Sequence, residues 1–224
     1  MKFKNYYLAA TFGLLTLLWT APSYAVPITF SFSGTVTNYF YDPGTGDTFG
    51  GSVGVGTTFT GFYTFESTSP DWSPADPQYG GYHSVLLPYG MEATIGGNTV
   101  SGLSSDMLID VWNTPGGDSY SAVALDFGFQ SLGIQLSGGS SSIFDNDSLP
   151  LSPPDIADFA EARFGYAVTD FFGPVVLSVV GTLTELTLVS TIPEPTSLAL
   201  MSLGLIGLGF ARRNKRSDRK HGVY

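Results

Sequence analysis

The sequence has 224 residues, a formal net charge of −10 and no cysteine, which excludes disulfide bonds, thiolate metal sites and cysteine nucleophiles. Residues 26–192 carry 17 acidic residues and one basic residue, Arg163, hence a formal charge of −16. Because nucleic acids and anionic lipid surfaces bind clustered basic residues, we expect no nucleic-acid partner for this segment. Its length is sufficient for one domain with a buried core.

The N-terminus has the pattern of a signal peptide. Two lysines precede an apolar stretch at residues 6–19, and Ser23 and Ala25 satisfy the small-x-small pattern of a signal peptidase site. We therefore predict a signal peptide helix over residues 1–25 and cleavage by signal peptidase after Ala25. An uncleaved anchor helix is the alternative, but the apolar run is short and strand-like alternation begins almost at once.

Apolar and polar residues alternate with a period of two through the middle of the sequence, which predicts β-strands at residues 28–37 and 58–65. Residues 91–102 are typical of a hairpin with a Gly-Gly-Asn turn. Further strands are predicted at 106–112, 120–129, 131–137, 164–169 and 176–189. Their spacing predicts an all-β fold, a single antiparallel β-sandwich or jelly-roll-like domain over residues 26–192.

One segment in this domain has helical spacing instead. In residues 152–164, Ser152 suits an N-cap and Pro153 the first helical position, while Ile156 and Phe159 fall on one face. We therefore predict one short helix before the strand at 164–169.

Candidate catalytic residues are few. The stretch GGSVG, residues 50–54, matches the Gly-x-Ser-x-Gly nucleophile elbow, but its flanks carry no helix signal, so we expect a glycine-rich turn. His83 is the single histidine before the tail, and we expect it to serve at the surface or in packing. We therefore predict no catalytic residue and no enzymatic activity, with a secreted hydrolase as the more distant alternative.

Acidic loop residues raise the question of a metal. Asp145 and Asp147 offer the oxygen ligands that calcium takes, as do acidic residues at 42, 47 and 76. The stretch DNDSLP, however, lacks the glycine and the distal glutamate of an EF-hand loop. We predict no cofactor and no metal, and calcium at Asp145 and Asp147 stays open as an alternative.

A long aromatic-rich segment, residues 66–90, is predicted as a loop. Trp72, Tyr79 and Tyr82 are the candidate carbohydrate contacts, because exposed rings stack on sugars and long loops are often functional. The same rings would alternatively pin the loop to the domain, since aromatic side chains dominate core burial.

The C-terminal tail has three parts in order. Pro193, Glu194 and Pro195 are followed by an uncharged run at residues 197–211, for which we predict a transmembrane helix over 196–211. Fifteen residues span about 23 Å as a helix, less than a hydrocarbon core of about 30 Å. A basic cluster over 212–220 should remain cytoplasmic. Its basic stop residues are Arg212, Arg213, Lys215 and Arg216.

These three parts resemble the PEP-CTERM sorting domain that exosortases recognise in Gram-negative bacteria, here over residues 193–220. The resemblance implies Sec export, retention in the inner membrane, processing near Pro-Glu-Pro by an exosortase-type enzyme, and release to the envelope, biofilm matrix or medium. An ordinary tail anchor is the alternative. Residues 28–189 are also similar to the β-rich ectodomain of many PEP-CTERM proteins, which brings no assigned chemistry.

The combined expectation is an exported, non-catalytic cell-envelope or extracellular matrix protein. A carbohydrate-binding module for exopolysaccharide is the alternative. The expected partners are signal peptidase, the sorting enzyme, the membrane through the C-terminal helix and, in the alternative, exopolysaccharide.

Overall fold

The computed structural model describes residues 26–44, 46–85, 88–102, 106–125, 130–169 and 174–189. The signal peptide predicted over 1–25 and the tail predicted over 193–220 lie outside the described residues, including the residues assigned there to processing, sorting and membrane anchoring. The described residues form β1 (Pro27–Tyr41), β2 (Thr58–Glu66), β3 (Tyr79–Val85), β4 (Gly90–Ile95), β5 (Asn98–Gly102), β6 (Asp106–Trp112), β7 (Ser119–Leu125), β8 (Gln130–Ser137), β9 (Glu161–Thr169) and β10 (Val175–Val189).

All ten strands belong to one antiparallel sheet with the order β3-β6-β7-β8-β9-β10-β1-β2-β4-β5. The sheet curls over itself, because β4 contacts β6, β7 and β8, and β5 contacts β8. The predicted all-β antiparallel fold is confirmed, and its two layers are the arms of one continuous sheet. In the described part of the chain, no helix has the length and apolar character needed to cross a membrane.

The core lies between the two arms and is rich in aromatic rings. Phe30 and Tyr63 meet edge to face at 5.5 Å, and Phe59 stacks on Phe164 at 4.3 Å between ring centroids. Such arrangements stabilise beyond the area they bury. Across the core, the hydroxyls of Tyr63 on β2 and Tyr120 on β7 are 2.9 Å apart.

The hairpin predicted at 91–102 is confirmed as β4 and β5. Gly96 and Gly97 form its turn with φ values of 56° and 87°, and Asn98 already belongs to β5. Positive φ at both central residues is the geometry that matches the twist of the flanking strands, which explains the two glycines.

The helix predicted over 152–164 needs correction. The segment contains a single 3-10 turn, Ile156–Asp158, and β9 begins at Glu161. Asp155 caps this turn by accepting a hydrogen bond from the backbone N–H of Ala157 at 2.9 Å. Phe164 is buried against Phe59, so tertiary packing overrides the local helical pattern.

The loop predicted over 66–90 also needs correction, because it contains β3. Two of its residues, Gly80 and Gly81, have no side chain, so the sequence does not show the alternation of apolar and polar residues that is typical of a strand. A Cβ on Gly80 would overlap the carbonyl oxygen of Asp147, which accounts for that glycine. β3 pairs with β6 and forms one edge of the sheet.

Candidate functional site

Three aromatic rings, from Trp72, Tyr79 and Trp112, form a cluster on the outer face of β3 and β6, which we call the aromatic platform. The side chains of Trp72 and Trp112 are 57% and 44% exposed. Tyr79 and Trp112 pair across the two strands, and their ring centroids are 4.4 Å apart. The platform is therefore an exposed aromatic surface at the edge of the sheet that β3 forms.

Trp72 is held in place by the backbone of β3. Its backbone N–H donates to the carbonyl of Gly81 at 2.9 Å, and its indole covers Gly81 so closely that a Cβ there would overlap the indole. The carboxylate of Asp71 accepts hydrogen bonds from the backbone N–H groups of Gly81 and Ser73 at 3.0 and 2.9 Å. Residue 81 must therefore be a glycine, because a side chain there would displace the Trp72 ring.

Hydrogen bonds fix the polar edges of the platform. The indole N–H of Trp72 donates to the Tyr79 hydroxyl at 3.1 Å, which donates to Asp110 at 2.6 Å. The second oxygen of Asp110 accepts from the Ser121 hydroxyl at 3.2 Å. Burial, followed by the hydrogen bond to Asp110, raises the pKa of Tyr79 to about 12, so this phenol keeps its proton at neutral pH. The rings are preorganised, which lowers the entropy lost when a ligand binds.

The structure separates Tyr82 from Trp72 and Tyr79, although all three were predicted as carbohydrate contacts. Tyr82 is buried on the opposite face of β3, and its hydroxyl donates to the carbonyl of Asp147 at 2.9 Å. Burial raises the pKa of Tyr82. In this conformation its ring is withdrawn from the surface that carries the platform.

Trp112 is the platform residue that sequence reasoning missed. It ends a strand whose outer face also carries Asp106, Leu108 and Asp110. A tryptophan at an outward position of an alternating strand is the signal that would have identified it. Its neighbour Tyr79, by contrast, lies in a segment that was predicted as a loop, so the pairing of Tyr79 with Trp112 could not be predicted from the sequence.

His83 lies beside the platform on the outer face of β3. Its ring centroid is 6.3 Å from that of Trp72, and its Nε2 contacts the carboxylate of Asp106 on the neighbouring strand. Ser84 points the other way, is buried and is hydrogen-bonded to Ser69 at 2.9 Å.

The Gly-x-Ser-x-Gly stretch forms a turn. Gly50 and Gly51 have φ values of 58° and 79°. The Ser52 hydroxyl donates to the carbonyl of Phe49 at 2.6 Å and accepts from the Asn98 amide at 2.7 Å. The hydroxyl is therefore engaged in holding the turn against β5.

Asp145 and Asp147, the candidate calcium ligands, lie between β8 and the 3-10 turn. Within the described residues, no group of three or more His, Asp or Glu side chains lies close enough to hold a metal ion. Asp47 instead accepts hydrogen bonds from the Tyr39 hydroxyl and from the backbone N–H groups of Phe49 and Gly51. Its carboxylate thus organises its own loop.

The comparisons with known proteins concern the tail. Residues 191–216 match the family model of the PEP-CTERM protein-sorting motif. No curated protein and no solved structure matches the chain. The chain carries a PEP-CTERM protein-sorting motif, and this motif indicates an exported, membrane-anchored precursor that an exosortase processes.

Proposed function

We propose that the protein is a non-catalytic component of the cell envelope or extracellular matrix, released there after its sorting tail is removed. The observation that carries this proposal is the motif match at residues 191–216, two residues after the end of β10 at Val189. The strongly acidic domain would face the outer side, and the basic cluster after the apolar run would face the cytoplasm.

The ends of the sheet suit processing at both termini. Thr29 near the start of β1 pairs with Val189 at the end of β10, so the two ends of the domain lie side by side. Three residues separate Val189 from Pro193. This connection spans at most about 14 Å, which would keep the folded domain close to the membrane until the tail is cut.

Intact mass measurement tests the processing. The protein would be recovered from host cells with and without the sorting enzyme. We expect an N-terminus at Val26 in both strains, and a C-terminus near Pro-Glu-Pro only where the enzyme is present. A Glu194→Ala variant should remain unprocessed, whereas the control Glu185→Ala, at an exposed position on β10, should be processed normally. A C-terminus at Tyr224 in both strains would contradict the proposal.

The aromatic platform favours a second candidate function, binding of polysaccharide in the matrix. Exposed but immobilised tryptophan and tyrosine rings offer apolar planes with polar edges, which suit the apolar face and the hydroxyls of a sugar ring. Affinity electrophoresis in a gel that contains the host polysaccharide tests this function. We expect retardation that is lost in Trp72→Ala and kept in Phe40→Ala, since Phe40 is an exposed ring outside the platform. Equal retardation of both variants would reject the platform.

The same material tests whether the protein is non-catalytic. The purified protein would be incubated with the host polysaccharide, and newly formed reducing ends would be measured. We expect no increase over a buffer control. A steady increase that disappears in a platform variant would instead favour the hydrolase alternative.

A further inference from the structure

A groove of about 440 Å³ lies on the outer face of β8 and β9, beyond the aromatic platform. Its floor is formed by Gly133 and Gly165, which are directly paired across the two strands. We call it the glycine groove. Its rim includes the side chains of Ser121, Gln135 and Arg163.

Packing accounts for other glycines of the sheet but not for Gly165. A Cβ on Gly34 or Gly181 would overlap the ring of Phe59, and one on Gly61 would overlap Phe32. Among the described residues, by contrast, no atom outside Gly165 and its two chain neighbours lies within 4 Å of the position that a Cβ on Gly165 would take. A glycine inside a strand costs about 0.5–1 kcal/mol relative to alanine. Such a glycine often marks a place where a ligand approaches the backbone.

The strand register places two different rows of residues along the groove. One row crosses β6 to β9 and is polar, with Asp110, Ser121, Gln135 and Arg163 in successive strands. The adjacent row is apolar or bare, with Leu108, Val123, Gly133 and Gly165. A surface with hydrogen-bonding groups beside a flat apolar strip matches a sugar ring, which has hydroxyls at its edge and C–H groups on its face.

The groove is continuous with the aromatic platform. Ser121 lines the groove and donates to Asp110, which in turn holds the Tyr79 hydroxyl. The strands β3, β6, β7, β8 and β9 are neighbours in this order. At about 4.8 Å between strands, platform and groove together span about 19 Å across the sheet. This length suits several consecutive sugar units rather than a single one.

The charge of the domain selects the class of ligand. Arg163 is the one basic residue in residues 26–192, against 17 acidic residues, and it is paired with Glu161 at 2.8 Å. A polyanionic chain would meet repulsion from the whole domain and no uncompensated cation in the groove. The ligand class that fits is therefore neutral.

We propose that the glycine groove is a binding subsite for a neutral polysaccharide chain that runs across the strands from the aromatic platform to β9. The proposal rests on the second candidate function above. Gly165 keeps the floor open so that a sugar ring lies directly on the backbone, and Gln135 and Ser121 bond its hydroxyls.

Isothermal titration calorimetry on the full chain tests this subsite. The chain would be held in a polyoxyethylene detergent, because detergents with sugar headgroups would compete. The probes are the neutral hexasaccharides of cellulose, mannan, amylose and chitin, and hexagalacturonate as the anionic comparison. We expect at least one neutral probe to bind, and Gly165→Val to weaken that binding by about tenfold or more. Gly165→Ala should have a smaller effect.

Stability separates a filled groove from a damaged fold. Valine is favoured in strands and its Cβ meets open space at residue 165, so the Tm of Gly165→Val should equal or exceed that of the wild type. Gly54→Val is the matched control. Among the described residues, Gly54 also has no atom beyond its two chain neighbours within 4 Å of a Cβ position, and it does not line the groove. This control should bind like the wild type.

The outcomes distinguish the two proposals. If Trp72→Ala abolishes binding while Gly165→Val binds like the wild type, the platform acts alone and the groove assignment is wrong. If no neutral probe binds the wild type, the polysaccharide function fails and the groove fails with it. Tighter binding of hexagalacturonate than of every neutral probe overturns the neutral assignment. A change in oligomeric mass for Gly165→Val, with unchanged sugar binding, would assign the groove to a second copy of the chain.

Discussion

Replacing either Tyr63 or Tyr120 with phenylalanine should destabilise the fold more than replacing both together. The two side chains are 0% and 1% exposed, and their hydroxyls form a hydrogen bond of 2.9 Å between β2 and β7. Burial raises the pKa of both hydroxyls, so both stay protonated at neutral pH. Each single substitution leaves the other hydroxyl buried without this partner.

The expected magnitudes follow from the cost of a buried, unpaired hydroxyl, which is about 1–3 kcal/mol. Each single variant should therefore lose about 1–3 kcal/mol of unfolding free energy. Exchanging both partners for apolar groups of the same shape is nearly neutral, so the double variant should lose less than either single variant. The coupling energy between the two positions should accordingly exceed about 1 kcal/mol.

Urea unfolding followed by far-UV circular dichroism measures these quantities for the wild type, both single variants and the double variant. The m-values should agree, because the same surface is exposed in each unfolding transition. Losses that add within about 0.5 kcal/mol would refute the reasoning, since additive effects mean that the two hydroxyls do not depend on each other.

Three further predictions concern stability. Asp118 is buried and accepts hydrogen bonds from the backbone N–H groups of Thr114, Ile143 and Phe144 at 3.2, 2.9 and 3.0 Å, so Asp118→Ala should cost more than about 2 kcal/mol in urea unfolding. A loss below about 0.5 kcal/mol would show that this carboxylate is dispensable. The hydrogen bond from Tyr39 lowers the pKa of Asp47 in the folded state. The stability that this hydrogen bond contributes is present above the pKa of an unfolded aspartate, about 3.9, and is lost as pH falls below that value. Asp47→Asn should therefore weaken the fall of unfolding free energy at acidic pH. The same fall of unfolding free energy at acidic pH in the variant and the wild type would contradict this. The raised pKa values of the two buried tyrosines give stability that is present below pH 10 and lost as pH rises above about 10, a loss that the double phenylalanine variant should reduce.

The alternation of apolar and polar residues was sufficient to predict most of the strands, because buried and exposed positions alternate along each of them. In β1, Ile28, Phe30 and Phe32 face the core while Thr29 and Ser31 do not, and the sequence shows this directly. β3 was hidden, since glycines replace two of its side chains. The segment before β9 led to the opposite error. Its apolar residues have helical spacing, but it forms a 3-10 turn followed by a strand.

The site was only partly accessible from the sequence. Trp72 and Tyr79 stood out as aromatic residues among prolines and glycines, but the pairing of Tyr79 with Trp112 depends on β3 joining β6. The hairpin of β4 and β5 lies between these strands in the sequence and at the other end of the sheet in space. The glycine groove depends in the same way on the register of Gly133 and Gly165, which local patterns do not encode.

The pairing of β1 with β10 also sets an order for folding. These strands lie side by side in the middle of the sheet, with β9 and β2 as their outer neighbours, yet they are the first and last strands of the described chain. For a chain that crosses a membrane N-terminus first, β1 keeps one open edge until residue 189 has emerged. Open strand edges invite pairing with other chains. The apolar run after Pro195 is the next segment to cross at that moment. A tail that stays in the bilayer would therefore keep each chain apart from other chains while β10 pairs with β1.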